Sequence, residues 1–198
     1  MVSDNRLRKR FEMKKIIVWI LMAASMVGTA DAATIGDDGL HKAPWIKDTF
    51  KDLNEDLAEA NVEGKRLMLI VEQQGCIYCR KMHEEVFIIP EIENILQDRF
   101  YVVQINMFGD VEVTDFDGEV LSEKKMVKKW GALFTPSIYF FPEEVLPGTS
   151  ASQAAVASMP GAFGRWTTQN MLTWVLEKGY SSDEPFQKYH ARKFTEQQ

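Results

Sequence analysis

Cys76 and Cys79 are the only two cysteines of the chain, and they stand three positions apart just beyond the wholly apolar run Leu67-Met68-Leu69-Ile70-Val71. A disulfide closing so short a loop restricts the unfolded chain very little, so a structural staple explains the pair poorly. The apolar run has the length and composition of a strand buried on both faces. Gln73-Gln74-Gly75 supplies a turn. From Cys76 to about Val86, the residues Cys79, Met82, His83 and Val86 recur at three- and four-residue spacing, which predicts a helix. This order puts Cys76 at a helix N-terminus, where unpaired N–H groups and the helix dipole favour a thiolate. Cys79, one turn further on, faces inward. Such a pair suits thiol–disulfide exchange, with Cys76 attacking and Cys79 resolving the mixed disulfide.

Other uses of the two thiols fit less well. A metal site needs two more ligands, and the nearest candidate is His83, in a C-x-x-C-x-x-x-H arrangement. A single histidine on the inner face of a helix reads more readily as a packed residue. His41 and His190 lie far apart in the chain and offer no evident partner, so no metal is assigned. Covalent haem attachment requires histidine directly after the second cysteine, and Arg80 stands there instead. No cofactor is expected.

The N-terminal segment carries a second constraint. Lys14-Lys15, the apolar run from Ile16 to Val27 and the Ala30-Asp31-Ala32 site are the three parts of a secretory signal. The apolar run is shorter than the roughly 20 residues of a spanning helix, so cleavage after Ala32 is favoured over an uncleaved anchor in the inner membrane. Translation starting at Met13 gives the same mature chain. The expected organisation is a signal peptide over 1–32, a flexible segment over 33–44, one domain over 45–193 and a disordered tail over 194–198. Removing six basic and three acidic residues from totals of 23 and 29 leaves 17 against 26, a net charge of −9. That balance opposes nucleic acid and anionic membrane surfaces as partners.

The rest of the chain supplies the elements around the cysteines. Ile46, Phe50, Leu53 and Leu57 form an apolar stripe that predicts a helix ending near Gly64. Pro90 to Gln97 predicts a further helix and Phe100 to Met107 a strand. Asp117-Gly118, between runs holding Val111, Val113, Val120 and Leu121, is a hairpin signal. Ser122 is a candidate cap for a helix that buries Met126, Val127 and Trp130 and stops at Gly131. The strand Ser137 to Phe141 follows Phe134-Thr135-Pro136. Next come a mobile loop over 142–152, an edge strand from Ala154 to Met159 and a loop from Pro160 to Gly164. A helix from Thr167 or Thr168 to Gly179 buries Met171, Leu172 and Val175. A last helical piece over 184–193 packs Phe186 and Tyr189 inward, and the chain frays from Arg192.

The strand from Lys65 to Glu72, Gly75-Cys76-Ile77-Tyr78-Cys79, Thr135-Pro136-Ser137 and the Phe140-Phe141 strand together resemble the thioredoxin superfamily. More narrowly, the hairpin before Thr135 and the tail Met159-Pro160-Gly161, Gly179-Tyr180 and Phe186-Gln187-Lys188-Tyr189 resemble its exported SoxW-type members. The resemblance covers residues 45 to 190. It implies an α/β thioredoxin-like fold, a central mixed β-sheet flanked by helices, with a β-hairpin insert before the cis-Pro strand. Thr135-Pro136 is then a cis bond facing the cysteines, with the Thr135 backbone pairing an incoming substrate strand and the loop 160–164 near the site. Cys76 and Cys79 become the catalytic, redox-active disulfide pair of a periplasmic thiol:disulfide oxidoreductase.

The sequence also departs from the family pattern. Ile70 occupies the place of the buried acid six residues before the first cysteine. Glu72 is the nearest carboxylate, read either as a proton relay for Cys79 or as a solvated strand-end residue. Gly75 replaces an aromatic residue, which widens access to Cys76. Ile77-Tyr78 brings no positive charge to the thiolate, and Arg80 and Lys81 stand close enough to help modestly. Reduction of disulfides in exported proteins is therefore expected over a Dsb-type oxidase or isomerase, with a non-catalytic binding module as the other alternative. Expected partners are exported protein thiols, with the SoxW-type resemblance implying carriers of sulfur oxidation, and a membrane electron donor. A monomer is expected.

Overall fold

The computed structural model describes residues 34–196, so the secretory signal read over 1–32 lies outside the described residues. The fold is organised around the strand β4, Arg66–Glu72, every residue of which is buried. Its side chains alternate between two cores, as a strand's pleat requires. Met68 and Ile70 enter one core, while Leu67, Leu69 and Val71 enter the other.

Three short strands precede β4: β1 (Thr34–Ile35), β2 (His41–Lys42) and β3 (Ile46–Lys47). After it come β5 (Phe100–Asn106), β6 (Glu112–Thr114), β7 (Val120–Ser122), β8 (Ser137–Phe140) and β9 (Ala157–Pro160). The main sheet has the order β3-β5-β4-β8-β9. β5 runs parallel to both β3 and β4, whereas β8 is antiparallel to β4 and to β9. The sheet is therefore mixed. On one face, α3 (Pro90–Arg99) and α6 (Arg165–Leu176) contribute Ile92, Leu96, Met171, Leu172 and Val175 to the first core. On the other, α1 (Leu53–Val62) and α4 (Glu123–Trp130) contribute Leu53, Ala60, Met126, Val127 and Trp130 to the second. Among the described residues, no helix is long and apolar enough to cross a membrane.

Several boundaries differ from the sequence expectation, for local reasons. The stripe from Ile46 to Leu57 is not one helix. Ile46 pairs with Val102 in β3, Phe50 is 95% exposed, and Lys51 has a φ of 59°, which helical backbone does not allow. α1 begins only after Asp52, whose Oδ1 accepts the N–H groups of Asn54 and Glu55 at 3.0 and 3.2 Å. Residues 33–44, expected to be flexible, include the hairpin β1–β2, with Leu40 buried and the Gly36 N–H donating to the Leu40 carbonyl at 2.9 Å. The edge strand starts later than expected, because Ala151–Ala154 forms a helical turn, α5. There the Ser150 N–H donates to Gln153 Oε1 at 3.0 Å. α6 starts at Arg165, earlier than expected, after Gly164. α7 (Phe186–Glu196) continues through the segment expected to fray, and Arg192 Nη2 pairs with Glu184 Oε2 at 2.8 Å.

The β6–β7 hairpin lies before the Thr135-Pro136 turn, and its Asp117-Gly118 corner has the positive φ of 84° at Gly118 that this residue accommodates. Ser122 stands at the N-cap of α4, but its hydroxyl makes no capping bond. The hairpin is fastened instead through Asp115, which is fully buried. Its carboxylate accepts from the Phe116 and Ala151 N–H groups, both at 2.8 Å, and from Trp130 Nε1 at 2.9 Å, and pairs with Lys129 Nζ at 2.9 Å. Removing one partner from a buried, hydrogen-bonded ion pair strands the others. Asp115→Ala should therefore lower the unfolding free energy by about 3 kcal/mol in urea melts, with Asp115→Asn losing less.

Candidate active site

Where β4 ends, Gly75 turns the chain with a φ of 72°, a conformation that favours glycine and accounts for the missing aromatic residue. Cys76 then caps the short helix α2 (Ile77–Lys81), and the Cys79 N–H donates to Cys76 Sγ at 3.0 Å. The helical run continues as a π turn, Met82–Val86, closed by the Phe87 N–H on the Met82 carbonyl at 2.8 Å. The sequence predicts a regular helix here. The wider turn carries Met82, His83 and Val86 inward together.

Cys76 and Cys79 form a disulfide with Cα atoms 5.2 Å apart. Cys76 keeps 6% exposure and Cys79 none, so what exposure the pair has belongs to the first cysteine. The Thr135-Pro136 bond is cis. Thr135 Oγ1 donates to Cys76 Sγ at 3.3 Å, and the Thr135 carbonyl oxygen lies 3.5 Å from the same sulfur. The Gly161 N–H donates to the Pro136 carbonyl at 2.7 Å, fastening the loop after β9 to the proline turn. Tyr78, Phe134, Thr135 and Phe163 line a groove of about 660 Å³ between these loops. Ile77, Tyr78, Leu133 and Phe134 are exposed apolar side chains near the disulfide, spread along the two segments that meet at Cys76.

Arg80 and Lys81 are directed to Glu84 and Glu85, at 3.9 and 4.0 Å, and all four are exposed. Ile70 is a plain core residue with no exposure. Glu72 is not solvated: it is 1% exposed, with Oε1 against His83 Nε2 at 3.0 Å and Oε2 accepting from Gln104 Nε2 at 2.6 Å. His41, which the sequence left without a partner, lies flat on the His83 ring with centroids 4.7 Å apart. Burial and the neighbouring His83 push the His41 pKa down from its ordinary value. His190 sits elsewhere, with Nδ1 at 2.9 Å from Asn170 Nδ2.

Residues 53–148 match the family model of a thioredoxin-like domain. The described chain also superposes on a thioredoxin-fold protein from Helicobacter pylori with a TM-score of 0.55, at 14% identity, over 67% of this chain and 86% of that one. The fold is thioredoxin-like. A thioredoxin from Thermus thermophilus aligns at 22% identity with a TM-score of 0.49, covering 65% of this chain and 86% of that one. The C-terminal domain of DsbD from Neisseria meningitidis, in its oxidised form, aligns at 14% identity with a TM-score of 0.40, over 63% and 90%. No curated protein sequence matches the chain.

Within this thioredoxin-like frame, a reduced Cys76 has two neutral donors at hand, the Cys79 N–H and the Thr135 hydroxyl. A hydrogen bond to a charged acceptor stabilises it by roughly 1.5–3 kcal/mol when buried and less at a partly open site. Thr135→Val should therefore raise the Cys76 pKa in the reduced protein by roughly one unit, followed as thiolate absorbance near 240 nm against pH.

Proposed function

We propose that the protein is an exported thiol:disulfide oxidoreductase that reduces disulfides of other exported proteins. The observation that carries this reading is the asymmetry of the pair: Cys76 is reachable and hydrogen-bonded, while Cys79 lies directly behind it without exposure. In the reduced protein the Cys76 thiolate attacks one sulfur of a partner disulfide, forming a mixed disulfide and releasing the partner's other sulfur as a thiolate. Cys79 then gives up its proton, for which the buried Glu72 carboxylate is the proposed relay, and attacks Cys76 Sγ. The partner leaves with both sulfurs reduced, and two electrons have left the protein. The Cys76–Cys79 disulfide is the oxidised half of this cycle. A dithiol donor must reduce it back to the two thiols and is itself oxidised to a disulfide; a membrane protein on the same side is the proposed source.

The charge distribution supports the reducing direction. Reduction potential rises as the reduced thiolate is better stabilised. Here the two basic residues after Cys79 are directed to Glu84 and Glu85, which leaves neutral donors alone beside Cys76. Thr135 and Pro136 are assigned to holding the partner strand, and the exposed apolar residues along the groove suit an unfolded or extended polypeptide. Export to the periplasm rests on the secretory pattern over 1–32, and sulfur-oxidation carriers remain the partner class proposed from the SoxW-type resemblance.

Cys76→Ser is expected to abolish dithiol-dependent reduction of insulin, and retained activity contradicts the reading. Cys79→Ala should accumulate mixed disulfides with partners. The measured potential of the pair is expected near thioredoxin's value of about −270 mV, and a value near about −120 mV would make the protein an oxidant.

A further inference from the structure

The exchange reaction leaves unexplained why two imidazoles are gathered beside the buried Glu72 carboxylate. We propose that His41, Glu72 and His83 form a buried site for one divalent ion of the zinc class. The three come from β2, β4 and the π turn, all are buried, and their ligand atoms lie within 4.8 Å of one another. Two imidazoles and one carboxylate are a donor set that suits zinc and its neighbours in the first transition row.

The surroundings are those of a prepared site. Gln104 donates to Glu72 Oε2 at 2.6 Å and to the His41 carbonyl at 2.8 Å, and accepts from Lys42 Nζ at 2.8 Å. A single side chain thus orients the carboxylate and fixes the backbone of one histidine, the office of groups behind metal ligands. His83 has one nitrogen on Glu72, while its Nδ1 is buried with no hydrogen-bond partner among the described residues. Trp45 lies parallel to His83 on one side, at 5.8 Å between centroids, and Phe87 meets it edge-on at 5.1 Å. Walls of this kind exclude water.

The ligands must still close around the ion. Bonds of about 2.1 Å in tetrahedral array hold donor atoms roughly 3.4 Å apart. His83 Nε2 and Glu72 Oε1 already stand at 3.0 Å. The His41 and His83 rings are near-parallel, 11° between planes, so His41 must turn about its Cβ–Cγ bond to aim a nitrogen at Glu72. Of the three, His41 keeps the most exposure, 9% against 1% for each of the others, which makes it the ligand free to move and the side from which the ion enters. The bound ion ties the β1–β2 hairpin to β4 and to the helical run that carries Cys79, four residues before His83.

The test uses the full protein in its disulfide form, in which neither sulfur is a thiolate. Titration with Zn²⁺ and Co²⁺ by calorimetry is expected to show one equivalent bound. His41→Phe keeps a ring on His83 but removes the donor, and should weaken binding at least tenfold, as should Glu72→Gln. His190→Gln should leave it unchanged. The chain has three histidines, so the unaltered protein gives a second readout in its imidazole proton resonances. Co²⁺ is expected to broaden those of His41 and His83 and to spare His190. Absence of binding, broadening confined to His190, unchanged affinity in His41→Phe, or binding that appears only after reduction of the disulfide would each overturn the proposal. Insulin reduction by the same preparations reports on the redox reading separately.

Discussion

The burial of β4 on both faces is the constraint on which the rest depends. Its alternating side chains seed both cores, so neither face can be solvated and helices must cover each. Its neighbours in the sheet then place the chemistry. β8 runs antiparallel, with Val71 opposite Ser137, so the C-terminal end of β4 and the N-terminal end of β8 meet at one end of the sheet. Cys76 lies five residues beyond Val71, and Thr135 two residues before Ser137. Contact between the cysteine sulfur and Thr135 follows from this register.

The same end of β4 delivers Glu72, and the parallel partner β5 brings Gln104 into reach of it. A carboxylate this deep needs hydrogen-bond partners to offset its lost hydration. Gln104 and His83 supply them, and His83 reaches the position because the helix widens into a π turn after Lys81. The redox pair and the buried His–Glu cluster therefore share one helical run, with Cys76 and Cys79 toward its open end and His83 on its inner side.

Much of this was legible from local patterns. The apolar run 67–71, the turn at Gly75, the hairpin at Asp117-Gly118 and the burial of Met126, Val127 and Trp130 each depend on residues close in sequence, and the structure has all of them. The failures arise where distant parts meet. Ile46 satisfies a helical stripe with Phe50 and Leu53, but pairing with Val102 and the cap at Asp52 decide otherwise. Nothing in the spacing of His41, Glu72 and His83 announces that a two-residue strand will lie beside β4, because that contact spans more than thirty residues of chain. The position of Glu72 leaves burial and solvation equally open in the sequence, and its partners Gln104 and His83 are invisible there for the same reason. The π turn leaves no signature in a three- and four-residue apolar repeat.

The central claim is that Cys76 is the reactive sulfur and Cys79 the sheltered one. Alkylation of the freshly reduced native protein by iodoacetamide, followed cysteine by cysteine in peptide mass spectra across a pH series, measures this directly. Modification is predicted at Cys76 alone, with a pH midpoint below the free-thiol value of about 8.5, while Cys79 reacts only after unfolding. Equal rates at the two sulfurs, or a Cys76 midpoint at or above that value, would contradict the account.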